Sequence, residues 1–68
     1  MNAKHDLAEA LCQLLETKTL EKITVKDIVA RCGVNRQTFY YHFQDILEVI
    51  EWSLDQAFSH LLEQSLAA

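Results

Sequence analysis

The stretch Arg31–Phe43, RCGVNRQTFYYHF, contains the only glycine of a proline-free chain, a polar N-R-Q-T run and two adjacent tyrosines. A sharp reversal of direction therefore has one favoured place. Gly33 takes the left-handed conformation of the residue just past a helix end at little cost, and Val34 can fold back toward Val29 in the manner of a Schellman ending. Asn35 is a good N-cap. The spacing predicts one helix that stops at Gly33 and another that starts at Arg36, with a two-residue break between them. Phe39 and Phe43, four apart, share the face that must be buried. Arg36, Gln37, Thr38, Tyr40, Tyr41 and His42 are left facing outward.

Upstream, Thr24 is the N-cap of the first of these helices, which begins at Val25. Asp27 three residues on can complete a capping box, and Ile23 can staple to Ile28. Val25, Ile28, Val29 and Cys32 supply its apolar face. Before it, Leu7, Leu11, Leu14 and Leu15 recur at helical spacing and predict an amphipathic helix over about residues 3–17. The polar Thr17–Thr19 and the following Leu20–Lys22 read as a connection. Downstream, Asp45 with Glu48 forms a D-x-x-E box that opens a long helix running toward the Ala67-Ala68 end. Leu47, Ile50, Leu54, Ala57 and Leu61 fall on a near-heptad along it, and Val49, Trp52, Phe58, Leu62 and Leu66 add apolar area. A three-helix core is too small to bury all of these, so the surplus predicts an interface with another chain or domain. The fold expected is all-α: a helix-turn-helix head over residues 1–44 and a long fourth helix over 45–68.

Composition limits what such a fold can do. The chain has 68 residues, half of them hydrophobic and 24% charged, which is one small domain with enough apolar content to fold. No continuous apolar run follows Met1, so neither a secretory signal nor a membrane span is expected, and the cytoplasm is the expected location. Cys12 and Cys32 do not form a C-x-x-C pair and read as small core residues in a reducing compartment. The cysteines and histidines show no ligand spacing, so no metal site is expected and His60 reads as a surface residue. Ser53 and His60 lack an acidic orienter and an oxyanion motif, and no Gly-rich loop is present to cradle a phosphate. No catalytic residues and no cofactor are expected.

The net charge of −4 is unevenly distributed. Residues 22–43 contain Lys22, Lys26, Arg31 and Arg36 against Asp27 alone, a balance of +3, while the remainder sums to −7. A local basic face on an acidic body can still steer a polyanion. In a helix-turn-helix the second helix enters the DNA major groove and its N-terminal side chains reach base edges. Arg36 can donate two bonds to guanine, Gln37 can pair with adenine, and Thr38 offers a hydroxyl and a methyl. Tyr40, Tyr41 and His42 can donate to phosphates, which position the helix.

Thr24–Ile28, TVKDI, followed by Cys32–Phe43, CGVNRQTFYYHF, resembles the N-terminal DNA-binding domain of the TetR family of bacterial transcriptional regulators. The resemblance covers nearly the whole chain, and its G-V-x-x-x-T-F-Y-x-H-F portion is highly specific. It implies a homeodomain-like head that binds a double-stranded DNA operator, most often as a repressor. Lys26, Asn35, Arg36, Gln37, Thr38, Tyr40, Tyr41 and His42 would face DNA, with Phe39 and Phe43 in the core. It also implies a homodimer in the full-length protein, and a small-molecule inducer bound by a larger helical C-terminal domain that this sequence does not contain. The chain departs from the pattern at Val29 and Cys32, where many members carry Ala, and at Ile46, where members commonly carry a Lys that meets a phosphate. The alternative is a helical interaction or dimerisation module whose helix-turn-helix no longer binds DNA, a reading supported by the acidic total and by Ile46.

Overall fold

Four helices form the chain in the computed structural model, which describes residues 2–67; Met1 and Ala68, the outer ends of the two units expected from sequence, lie outside the described residues. Helix α1 spans Ala3–Leu14, α2 Val25–Cys32, α3 Arg36–His42 and α4 Ile46–Ala67, with a single 3-10 turn at Leu20–Lys22. Helix α1 packs against each of the other three, and α2 packs against α3.

Every helix start is fixed by a short polar side chain that replaces a missing backbone partner. Asn2 Oδ1 accepts from the Lys4 and His5 amides. The capping box expected at α2 is present: Asp27 N–H donates to Thr24 Oγ1 at 3.2 Å, and Thr24 N–H donates to Asp27 Oδ2 at 3.0 Å. At α4 the arrangement differs by one residue from the box expected. Asp45 Oδ1 accepts from Glu48 N–H, but Glu48 Oε1 reaches the Gln44 amide instead of that of Asp45.

Helix α1 is shorter than the 3–17 expected. The Leu14 carbonyl accepts from the amides of Thr17 and Lys18 and from the Thr17 hydroxyl, which closes the helix in a turn. Leu15, the cap residue, still donates its amide to the Leu11 carbonyl but is 42% exposed. Cys12, expected in the core, is exposed, because the buried stripe of α1 runs through Leu7, Ala8, Leu11 and Leu14 and leaves Cys12 beside it. Cys32 is half-buried against the core.

The core gathers Leu7, Leu11 and Leu14 of α1, Ile23, Ile28 and Val29 around α2, Phe39 and Phe43 around α3, and Val49 of α4. Phe39 and Phe43 contact each other at 5.8 Å between ring centroids, and Phe43 meets Trp52 edge-on at 6.0 Å. The Lys4 ammonium lies 5.5 Å from the Phe43 centroid and 5.1 Å from that of Trp52, a cation–π contact that clasps the start of α1 to α4. Only the first turns of α4 take part. Beyond Ser53 the helix leaves the head, with Leu54, Phe58, Leu61 and Leu62 all exposed. Among the described residues no helix is long and apolar enough to cross a membrane.

Candidate nucleic-acid interface

The α2–α3 turn orients everything on the outer face of α3. Gly33 has φ 79° and ψ 25°, in the left-handed region that L side chains resist. The Val29 carbonyl then accepts both the Gly33 amide at 2.9 Å and the Val34 amide at 3.1 Å, the second being the 6→1 bond of a Schellman ending. Asn35 follows in extended conformation and caps α3, its Oδ1 accepting from Thr38 N–H at 2.9 Å and from the Thr38 hydroxyl at 3.0 Å. Helix α3 is thus entered at a defined angle and held there by Phe39, which is fully buried.

With its inner face committed, α3 turns the other side chains out. Arg36 and Gln37 are exposed at its N-terminal end, Thr38 is half-buried, and Asn35 is exposed at the cap. Tyr40 is 53% and Tyr41 84% exposed, although Tyr40 lies next in sequence to buried Phe39 and contacts that ring edge-on at 5.2 Å. His42 is half-buried and stacks edge-on with Tyr41 at 5.0 Å. Asn35, Gln37, Thr38 and Tyr41 line a shallow depression on this surface. Lys26 is exposed in the first turn of α2. The eight residues singled out in the sequence are thus all accessible at least in part, and four of them share one depression.

The acid closest in sequence to this surface is occupied elsewhere. Asp27, the one acid within residues 22–43, accepts the Thr24 amide and lies 3.6 Å from the Lys18 ammonium. The Thr24 hydrogen bonds, backbone first, hold its carboxyl below the ordinary carboxylate range, and Lys18 adds to the effect. Arg31 donates from Nε to Gln13 Oε1 at 2.7 Å, which ties α2 to α1. Burial, helped by the negative charge of Asp6, pushes the Cys32 thiol up.

One cluster has no counterpart among the sequence patterns above. His5, Asp6 and Glu9 bring their ligand-type atoms within 4.8 Å of one another on the exposed start of α1. The spacing was legible, but attention to histidine and cysteine alone hides a group completed by carboxylates. Ile46, where a Lys is common in the family resembled, is half-buried and packs against the core, so its side chain has a structural use.

A family model described as "Bacterial regulatory proteins, tetR family" matches residues 7–51. Among curated proteins, the HTH-type dhaKLM operon transcriptional activator DhaS of Lactococcus lactis subsp. lactis (strain IL1403) is 30% identical over 59 residues, which are 87% of this chain and 32% of that protein. Among solved structures, the dihydroxyacetone kinase operon activator DhaS superposes with a TM-score of 0.83 at 30% identity, covering 87% of this chain and 33% of that one. The chain therefore spans about a third of the length of these relatives. The family match extends from the buried stripe of α1 through the turn at Gly33 to the part of α4 that packs on the head, and by it the chain belongs to the tetR family of bacterial regulatory proteins.

Proposed function

We propose that this chain binds double-stranded DNA in a sequence-specific manner, with α3 in the major groove, as the DNA-binding part of a transcriptional regulator. The observation that carries the reading is the division of α3 into two faces: Phe39 is fully buried while Arg36, Gln37 and Tyr41 on the same short helix are exposed. Exposing a tyrosine at 84% beside a free arginine and glutamine does nothing for a core. It presents a polar, aromatic surface of a width that the major groove admits. In this reading Arg36 and Gln37 read base edges, Asn35 and Thr38 lie at the reading end, and Tyr40, Tyr41, His42 and Lys26 position the head on phosphates. The residues proposed are supported by exposure and by their place on α2 and α3.

Residues 1–44 act in this reading as the head and the helix from residue 45 as the connection to a further domain. The exposed Leu47, Leu54, Phe58 and Leu61 support an interface on that helix. A homodimer, and an inducer bound outside this chain, complete the proposal for the full-length protein, and the cytoplasm is its place of action. Repression needs only that the head occupy an operator and exclude polymerase, and it is the mode expected from the resemblance. The relative named above is an activator, so a reporter carrying the selected site at two distances from a promoter is the assay that separates the modes.

The net charge of −4 favours the second reading, an interaction module without DNA affinity. Selection from a random pool of duplexes decides between them. Enrichment of a defined half-site that the purified chain shifts in a gel, with a scrambled duplex left unshifted at the same concentration, is the expected result. Failure to enrich any sequence would overturn the DNA-binding proposal.

A further inference from the structure

The hydrogen bonds at the start of α3 fix the polarity of one side chain on the reading surface. Thr38 N–H donates to Asn35 Oδ1 at 2.9 Å, so the Asn35 atom at that position is the amide oxygen; a nitrogen there would set donor against donor. The Thr38 hydroxyl lies 3.0 Å from the same atom. That oxygen only accepts, so the single hydroxyl proton of Thr38 points at it. The lone pairs of Thr38 Oγ1 are all that the hydroxyl has left to offer, and Thr38 is half-buried in the depression shared with Asn35, Gln37 and Tyr41.

From this we infer that Asn35 is a positioning residue which makes Thr38 an acceptor-only reader of a base. The inference deepens the DNA-binding reading and rests on it. Phosphate oxygens only accept, so Thr38 cannot bond to one without first breaking its bond to Asn35. In the major groove the complementary donors are the exocyclic amino groups, N6 of adenine and N4 of cytosine. Thr38 therefore selects a base that carries an amino group at one position of the half-site and rejects thymine and guanine there, whose major-groove polar atoms are acceptors. Tyr40 and Tyr41 are exposed, and in this reading their hydroxyls donate to phosphate.

The test uses the half-site selected by the wild-type chain and its single-pair variants, titrated with wild type, Thr38→Val and Asn35→Ala. Valine keeps the shape and β-branching of threonine and removes the hydroxyl, and a thermal melt verifies that it folds. Thr38→Val should bind the selected site about fivefold more weakly, the effect of one neutral hydrogen bond. That loss should disappear on duplexes changed at a single pair. An equal loss on every duplex, including unrelated sequence, would overturn the inference, because it would mean that the hydroxyl had been donating to phosphate. Asn35→Ala frees the Thr38 proton and should relax the preference at that same pair, so that thymine or guanine is tolerated there. Preference retained at that pair would overturn the role of Asn35 even if overall affinity fell through loss of the cap. A wild-type chain that selects no site would instead refute the DNA-binding reading beneath it, so the two failures are distinguishable.

Discussion

Replacing Gly33 isolates the cost of one backbone conformation, because a Cβ built at this position meets nothing within 4 Å. Steric conflict with the rest of the head is absent, and the penalty comes from φ 79° alone. An L residue in the left-handed region costs about 1–2 kcal/mol. Alanine returns roughly 0.4–1 kcal/mol by restricting the unfolded chain. Gly33→Ala should therefore destabilise by about 1 kcal/mol net, which for a domain of this size lowers Tm by about 4–8 °C. Against a total stability on the order of 3–10 kcal/mol for a chain of this length, that loss is readily measured. Asparagine, which tolerates this region, should cost less than alanine, and β-branched valine should cost more. Urea denaturation of the three variants beside the wild type, at constant m, gives the order directly. Alanine equal in stability to glycine, or valine better tolerated than asparagine, would refute the account of the turn.

Four further outcomes are expected. Phe39→Ala should cost about 3–5 kcal/mol in urea denaturation followed by circular dichroism, since it empties the centre of the core. Arg36→Ala or Gln37→Ala should each cost roughly 1–3 kcal/mol of discrimination at one base pair in binding titrations, whereas Tyr40→Phe should weaken binding evenly over sequences. Asp27 has its folded-state carboxyl lowered, so its contribution to stability is fully present above its ordinary value and is lost as pH falls through the lower folded one. Melting curves from pH 6 downward should accordingly fall less steeply for Asp27→Asn than for wild type. Cys12 should react with a maleimide well before Cys32 at pH 8, by mass spectrometry, because Cys12 is exposed while Cys32 is half-buried with its thiol pushed up.

The helix-turn-helix was legible because its signals are local. Thr24, Asp27, Gly33 and Asn35 each act on backbone groups no more than a few residues away, and the structure places each in its expected role. Phe39 and Phe43 were legible through a four-residue spacing. Contacts between distant segments were not. The Lys4 clasp onto Phe43 and Trp52 and the Arg31–Gln13 bond depend on how α1 lies across α2 and α4, which no spacing encodes. The end of α1 is hidden in the sequence because Leu15 continues the apolar pattern, while the Leu14 carbonyl is taken by Thr17 and Lys18. Residue type alone points Cys12 inward, yet its helical position lies off the buried stripe.

The contacts of the basic side chains limit how this head can respond to its ionic surroundings. Six lysines and arginines are present. Lys4 sits over two rings, Lys18 faces Asp27 and the Arg31 Nε is bonded to Gln13, all within the head itself. Lys22, Lys26 and Arg36 remain for phosphates or bases. Each cation that neutralises a phosphate releases condensed counterions and contributes about −0.9 to the slope of log affinity against log salt, so with Arg36 on a base edge Lys22 and Lys26 give about −1.8 per head. Raising salt from 50 to 200 mM should then cost one head only about twelvefold in affinity, far less than a strongly basic DNA-binding domain loses. In the DNA-binding reading proposed above, hydrogen bonds made by Gln37, Thr38 and the tyrosines, which release no ions, provide a correspondingly large share of the grip on DNA.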